Sequence, residues 1–335
     1  MPFAQLQFLE TQSQFFYLTV LSAVFLVQII LGVLMPGTAR RAPYMWWFAQ
    51  RLISVLQLKL DRPNRSKRAL YIRGALSITF LIIVAISVNR FGEIISETVP
   101  YGWAIVPVLL WGCFNIVTPW RMMRFMMRLK TLAELKKHAD VMSNLTGLTF
   151  KSKDSHALAR AVVLYAGYSF VRFCVGPALF FGFFGLSGVL VYVFVTSGTY
   201  DMRFGAKPQR AFLKPAYLLQ MVLDVIPARL AAVYIYLSSI LTPTAHPKYC
   251  LEVVFDHTQR FSGANFSSLF KAFAGAVGAS LGGGFSYQNG DKMTLPWIGH
   301  KTASAKIGLA EIKRAFVLYV FACVFLFLTF LLLLV

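Results

Sequence analysis

The stretch Ala315 to Val335 runs for 21 residues without one charged side chain. As an α-helix it is long enough to cross the roughly 30 Å hydrocarbon core of a bilayer, which needs about 20 apolar residues. It is not alone. Phe16 to Met35 meets the same requirement with Gln28 as its only strongly polar side chain, and Gly74 to Asn89 and Tyr101 to Trp120 follow. Hydrophobic residues make up 57% of the 335, above the roughly 45–50% of ordinary globular domains, which excludes a soluble enzyme. A cleaved signal peptide does not explain the first stretch, because the residues before it carry Glu10 and no Lys or Arg.

Charge decides the expected orientation. Lys and Arg outnumber Asp and Glu by 33 to 13, and they cluster between the apolar runs. Arg62, Arg65, Lys67, Arg68 and Arg73 stand before the second run with Asp61 as the one acid, and Arg121, Arg124, Arg128, Lys130, Lys136 and Lys137 follow the third. Basic loops stay on the cytoplasmic side, so both segments are expected there and both termini outside. Lys313 and Arg314 place the front of the last run inside as well. Basic residues beside spans meet lipid phosphate, and no nucleic-acid recognition motif accompanies them, so nucleic acid is not an expected partner.

Two apolar regions are ambiguous. Ala161 to Val195 is interrupted by Gly176-Pro177 and contains Arg172, while Pro215 to Leu241 contains Asp224, Pro227 and Arg229. If each crosses once, the basic residues Arg203, Lys207, Arg210 and Lys214 between them are stranded outside; if each re-enters or lies in the interface, they stay inside. The resulting expectation is an all-α, polytopic integral membrane protein with about four transmembrane helices and two re-entrant or interfacial helical elements, six spans being the alternative. It divides into N-terminal transmembrane helices with a basic loop (1–120), a basic amphipathic helix region (121–160), partly inserted elements (161–243), a cytoplasmic glycine-rich segment (244–314) and a closing span (315–335). The location that fits is a bacterial inner membrane.

Few residues carry chemistry. Cys113, Cys174, Cys250 and Cys323 are too far apart for a metal or redox motif, and of the five histidines only His257 adjoins an acid, Asp256; no metal site is expected. Asp224 and Arg229 are ionisable groups in an apolar stretch, which are expensive there and usually face each other or a cavity. Glycines cluster from Ala274 to Gly284 and again at Gly290 and Gly299. Consecutive glycines present N–H groups to phosphate, yet the spacing matches neither the dinucleotide fingerprint nor the Walker pattern, and Gly275, Gly278 and Gly282 equally suit a helix-packing face.

In order as well as composition these residues resemble the cobinamide-phosphate synthases (CobD/CbiB) of cobalamin biosynthesis. Asn265, Gly275, Gly278, Leu281-Gly282-Gly283, Tyr287 and Pro296-Trp297-Ile298-Gly299 follow that family's segment, and Ile226-Pro227-Ala228-Arg229-Leu230 is similar to its Ile-Pro-Ala-Arg-Leu element. The resemblance implies ATP-dependent joining of a corrinoid carboxylate to an aminopropanol phosphate, with magnesium held by carboxylates. The departures fall on those groups. The family's Gly-Asp-Pro and His-Pro are here Gly32-Val33-Leu34 and Ala42-Pro43; its paired acids fall on Gln220 and Met221, and another on Phe270. ATP and magnesium are therefore implied only if the activity is retained. The expected site is a binding site for a corrinoid or other anionic ligand at the cytoplasmic face, formed by Arg229, Asp224, Asn265, Gly282, Gly283, Gly284 and Tyr287. The other reading is a non-enzymatic signalling protein similar to AmpE, with a membrane protein as partner in addition to lipid.

Overall fold

The computed structural model describes residues 18–28, 30, 43–62, 64–128, 148–149, 155–198, 210–259, 264–287 and 292–332, with isolated positions between 131 and 143. Twelve helices are described: α1 (Leu18–Gln28), α2 (Tyr44–Leu60), α3 (Lys67–Thr98), α4 (Ile105–Trp111), α5 (Val117–Met127), α6 (Ser155–Phe170), α7 (Gly176–Ser197), α8 (Lys214–Leu223), α9 (Val225–Leu241), α10 (Pro247–Phe255), α11 (Ala264–Val277) and α12 (Leu309–Leu332). The helical, polytopic membrane architecture expected from the sequence is present: three helical stretches are long and apolar enough to cross a bilayer, with a fourth if the bent pair α8–α9 is one span. One feature departs from all-α. A three-stranded antiparallel sheet joins β1 (Leu148–Thr149) to β2 (Leu281–Tyr287) and β3 (Lys292–Ile298), the last two from the glycine-rich segment. Its small residues permit the close strand approach that a helix there would waste.

The core is the helix α6. From Ala157 to Phe170 every residue is buried, as an all-round apolar helix must be. It continues through a π-helical turn, Val171–Val175, into α7. Pro177 lacks the N–H that would bond the carbonyl of Phe173; the Asn115 N–H donates to that carbonyl instead, at 3.2 Å. At Gly185 (φ 61°) the chain reverses. The rings of Phe180 and Tyr192 stack at 4.8 Å, whereas twelve residues of continuous helix would span about 18 Å. Ala161 to Val195 is thus a helical hairpin. Its far limb returns to the start of α3, where an added Cβ on Gly198 would touch Ile78 and Ala216.

The hairpin also settles the basic residues that follow it. Arg210 pairs with Asp61 at 3.3 Å, and Gly74 lies against the backbone of Phe212, so Arg210 and Lys214 share the α3 end that carries Arg62 to Arg73. This is the arrangement the charge bias prefers.

The expected third span, Tyr101 to Trp120, is not one helix. A 3-10 turn (Gly102–Ala104) and α4 end at Trp111, the chain breaks, and α5 resumes at Val117. Exposed backbone in an apolar interior is costly, so the break is saturated with partners. Gln28 Nε2 donates to the Trp111 and Phe114 carbonyls, and its Oε1 accepts from the Ile116 N–H at 3.1 Å. Trp46 Nε1 donates to the Cys113 carbonyl, and Asn115 Oδ1 accepts from the Thr118 N–H. In α5, Met122, Met123 and Met126 are buried, leaving Arg121 and Arg124 towards the other face.

Candidate functional site

Three helix irregularities, the π-turn after α6, the gap between α4 and α5, and the 51° bend between α8 and α9, meet around one buried ion pair. Arg172 Nη2 lies 3.0 Å from Asp224 Oδ2, and both side chains are 1% exposed. Tyr192 donates its hydroxyl to Asp224 Oδ1 at 3.0 Å. It can reach because position 176 is glycine: an added Cβ would sit 2.2 Å from the Tyr192 oxygen. Tyr168 and Phe266, their rings stacked 5.3 Å apart, each lie about 5 Å from the guanidinium centre (5.4 and 5.3 Å). Charge this deep persists only when paired, and the rings add cation–π attraction to the ion pair.

Asp224 and Arg229, expected to face each other or a shared cavity, point apart. Arg229 is exposed on α9 and donates to the Val225 carbonyl one turn back, whereas Asp224 points into the core. The bend at Asp224 separates the two directions. Asn265 does join the neighbourhood, its amide donating to the Met221 carbonyl and so fastening α11 to the end of α8.

The glycines lie apart from that pair, in the sheet. Gly282 (φ 132°) and Gly283 (φ 91°) form a bulge in β2 opposite β3. An added Cβ on Gly282 would meet the Pro296 carbonyl at 2.4 Å, and one on Gly283 the Trp297 ring at 2.8 Å. The Gly282 carbonyl accepts from Arg160 Nε, and Arg160 Nη1 reaches the Ala305 carbonyl. Arg160 also lies 5.1 Å from the Trp297 ring. These glycines therefore let a β-hairpin close over α6; Gly284 alone has open space beside it. Tyr287 ends β2, paired with Leu148. Arg229, Asp224 and Gly282 to Gly284 do not converge. Gly275 is a packing residue, with the Tyr249 and Cys250 backbone within 2.6 Å of an added Cβ.

Around the sheet the surface is basic. Lys248, Lys292, Lys301, Lys306 and Lys313 are exposed there, against Glu252, Asp256 and Glu311. Buried Lys271 donates to the Asp256 carbonyl at 2.6 Å; burial lowers its pKa, and Asp256 opposes that. The Asp256 carboxyl is held below its usual range by bonds from the Thr258 hydroxyl and N–H, then from Gln259. His246, Tyr249 and His300 stack as a row, and His300 Nε2 lies 3.1 Å from Glu252 Oε2.

A family model described as CobD/Cbib protein matches residues 24–319, nearly the whole chain. The chain belongs to the CobD/CbiB family. No curated protein and no solved structure matches it. The ATP and magnesium that the resemblance implies would need carboxylate ligands. Among the described residues no group of three His, Cys, Asp or Glu side chains is placed to hold a metal. Asp224, the acid two residues before the Ile226–Leu230 element, already serves Arg172 and Tyr192. Among the described residues the donor set does not fit the metal. Arg172 stands out in the sequence as a charge in an apolar run and Tyr192 does not; the one trace of their site is that Ala161 to Val195 contains a cation and no acid to balance it.

Proposed function

We propose that this CobD/CbiB-family protein of cobalamin biosynthesis holds an anionic ligand, of the corrinoid-carboxylate or phosphate class, at the cytoplasmic face of a bacterial inner membrane without carrying out the amide-forming reaction. The observation that carries this is the commitment of Asp224. An acid locked between a guanidinium and a phenol, both buried, is not available to hold magnesium or to take a proton from an amine. What remains is the family's backbone frame and a cluster of lysines beside the β2–β3 hairpin, which favours an anion electrostatically. Arg172, Tyr168 and Phe266 hold the end of α6 against α11, while Arg160 holds the hairpin over its start.

Equilibrium dialysis of the purified protein against cobyrate, followed by addition of aminopropanol phosphate and ATP, tests both halves. Retained cobyrate with no amide product is expected, and Lys301→Glu with Lys306→Glu should weaken retention at least several-fold, more so at low salt. Product formation, or retention unaffected by charge reversal, overturns the reading.

A further inference from the structure

The other end of the molecule holds a cavity that this function does not use. It has a volume of about 780 Å³, within the range of small-molecule sites, and lies between α1, the last turns of α3, the Gly185 reversal, α9 and α12. That places it at the end of α3 remote from Arg62, Arg65 and Arg68. Its walls are apolar, with Phe181 and Leu326 among them. Its charged stripe is Glu93 and Glu97, with Asn89 on the preceding turn of α3; Ser187 and the paired hydroxyls of Tyr234 and Thr329 also line it.

The charge pattern of that stripe is specific. Arg90 pairs with Glu93 at 2.7 Å on the exposed side, and the Asn89 amide donates to the other oxygen of Glu93. Glu97 pairs with no cation among the described residues. Two carboxylates also stand in the last turns of a helix with no basic residue at that end, where the helix dipole favours cations. Two anions, Glu93 and Glu97, therefore line the cavity, and one cation, Arg90, stands beside them outside its lining. This complements a head group with a phosphate followed by an ammonium, and it repels a head group that carries only negative charge.

We propose that the cavity is a lipid site that takes an acyl chain of an ammonium-headed phospholipid, with the ammonium at Glu93 and Glu97 and the phosphate near Arg90. Because it lies at the opposite end from the lysine cluster, it stands or falls independently of the corrinoid-ligand reading. Native mass spectrometry of the purified protein, after incubation with equal amounts of phosphatidylethanolamine and phosphatidylglycerol of identical chains, reads it directly. The ethanolamine lipid should be retained in several-fold excess. Glu93→Gln with Glu97→Gln should bring the ratio near one. Gly182→Leu should cut retention of both lipids: Gly182 lines the cavity, and an added Cβ there meets nothing within 4 Å, so the fold is spared. A wild-type ratio at or below one, a ratio unchanged by the double substitution, or undiminished retention in Gly182→Leu overturns the proposal.

Discussion

Asp224→Asn isolates the buried charge of Arg172. The amide oxygen still accepts from Tyr192, and the side-chain volume is nearly unchanged, so what is lost is the counter-charge 3.0 Å from a fully buried guanidinium. Breaking one side of such a pair costs about 3–5 kcal/mol, because the surviving charge stays desolvated. At roughly 2 °C per kcal/mol, the lower end of the shift for large domains, the thermal midpoint of the detergent-solubilised protein should fall by about 6–10 °C. Adding Arg172→Met should recover most of that loss. The thioether would lie beside the Tyr168 and Phe266 rings, a favourable environment for sulfur, and no charge would remain buried. Midpoints from fluorescence-monitored unfolding of wild type, single and double variants decide the matter. An Asp224→Asn protein as stable as wild type, or a double variant no more stable than the single, would show that the pair is not what the bend between α8 and α9 is built around.

Gln28→Leu should destabilise by on the order of 3 kcal/mol, since the Trp111 and Phe114 carbonyls and the Ile116 N–H lose their partner in an apolar interior; the same unfolding assay measures it. Gly283→Val should still insert in the membrane but lose about 2 kcal/mol through its left-handed backbone and the Trp297 ring, visible as faster protease cleavage between β2 and β3. His246 titrates below its usual value, first because of burial and then because Arg314 and His300 are close. The unfolded chain then binds that proton more readily than the native one, so stability present above about pH 6.5 is lost as pH falls below it. His246→Phe, which keeps a ring beside Tyr249, should flatten the midpoint-versus-pH curve between about pH 7 and about pH 5.

The membrane architecture was legible in the sequence because a bilayer imposes a length and a polarity on each span, and both are local properties of the chain. The hairpin of Ala161 to Val195 was legible for a related reason: stranding Arg210 and Lys214 on the wrong side violates a simple charge bias, and Gly185 supplies the backbone freedom to avoid it. Membership of the CobD/CbiB family was likewise readable from ordered glycine, proline and arginine positions.

Pairing was not. Asp224 is five residues from Arg229 and 52 from Arg172, and local distance favours the wrong partner. A bend at Asp224 turns one side chain inward while Arg229 stays at the surface, and only packing against α6 and α7 selects that bend. The break after α4 has the same character. Tyr101 to Trp120 is apolar enough for a continuous span, and it is interrupted because Gln28, Trp46 and the Phe173 carbonyl, from three other segments, satisfy the backbone that the break exposes. The chain alone determined that its apolar segments must be buried in lipid or in each other. Tertiary structure decided which polar groups meet inside, because hydrogen bonds and ion pairs in an apolar medium are won by geometry between distant segments and leave no periodic trace along the sequence.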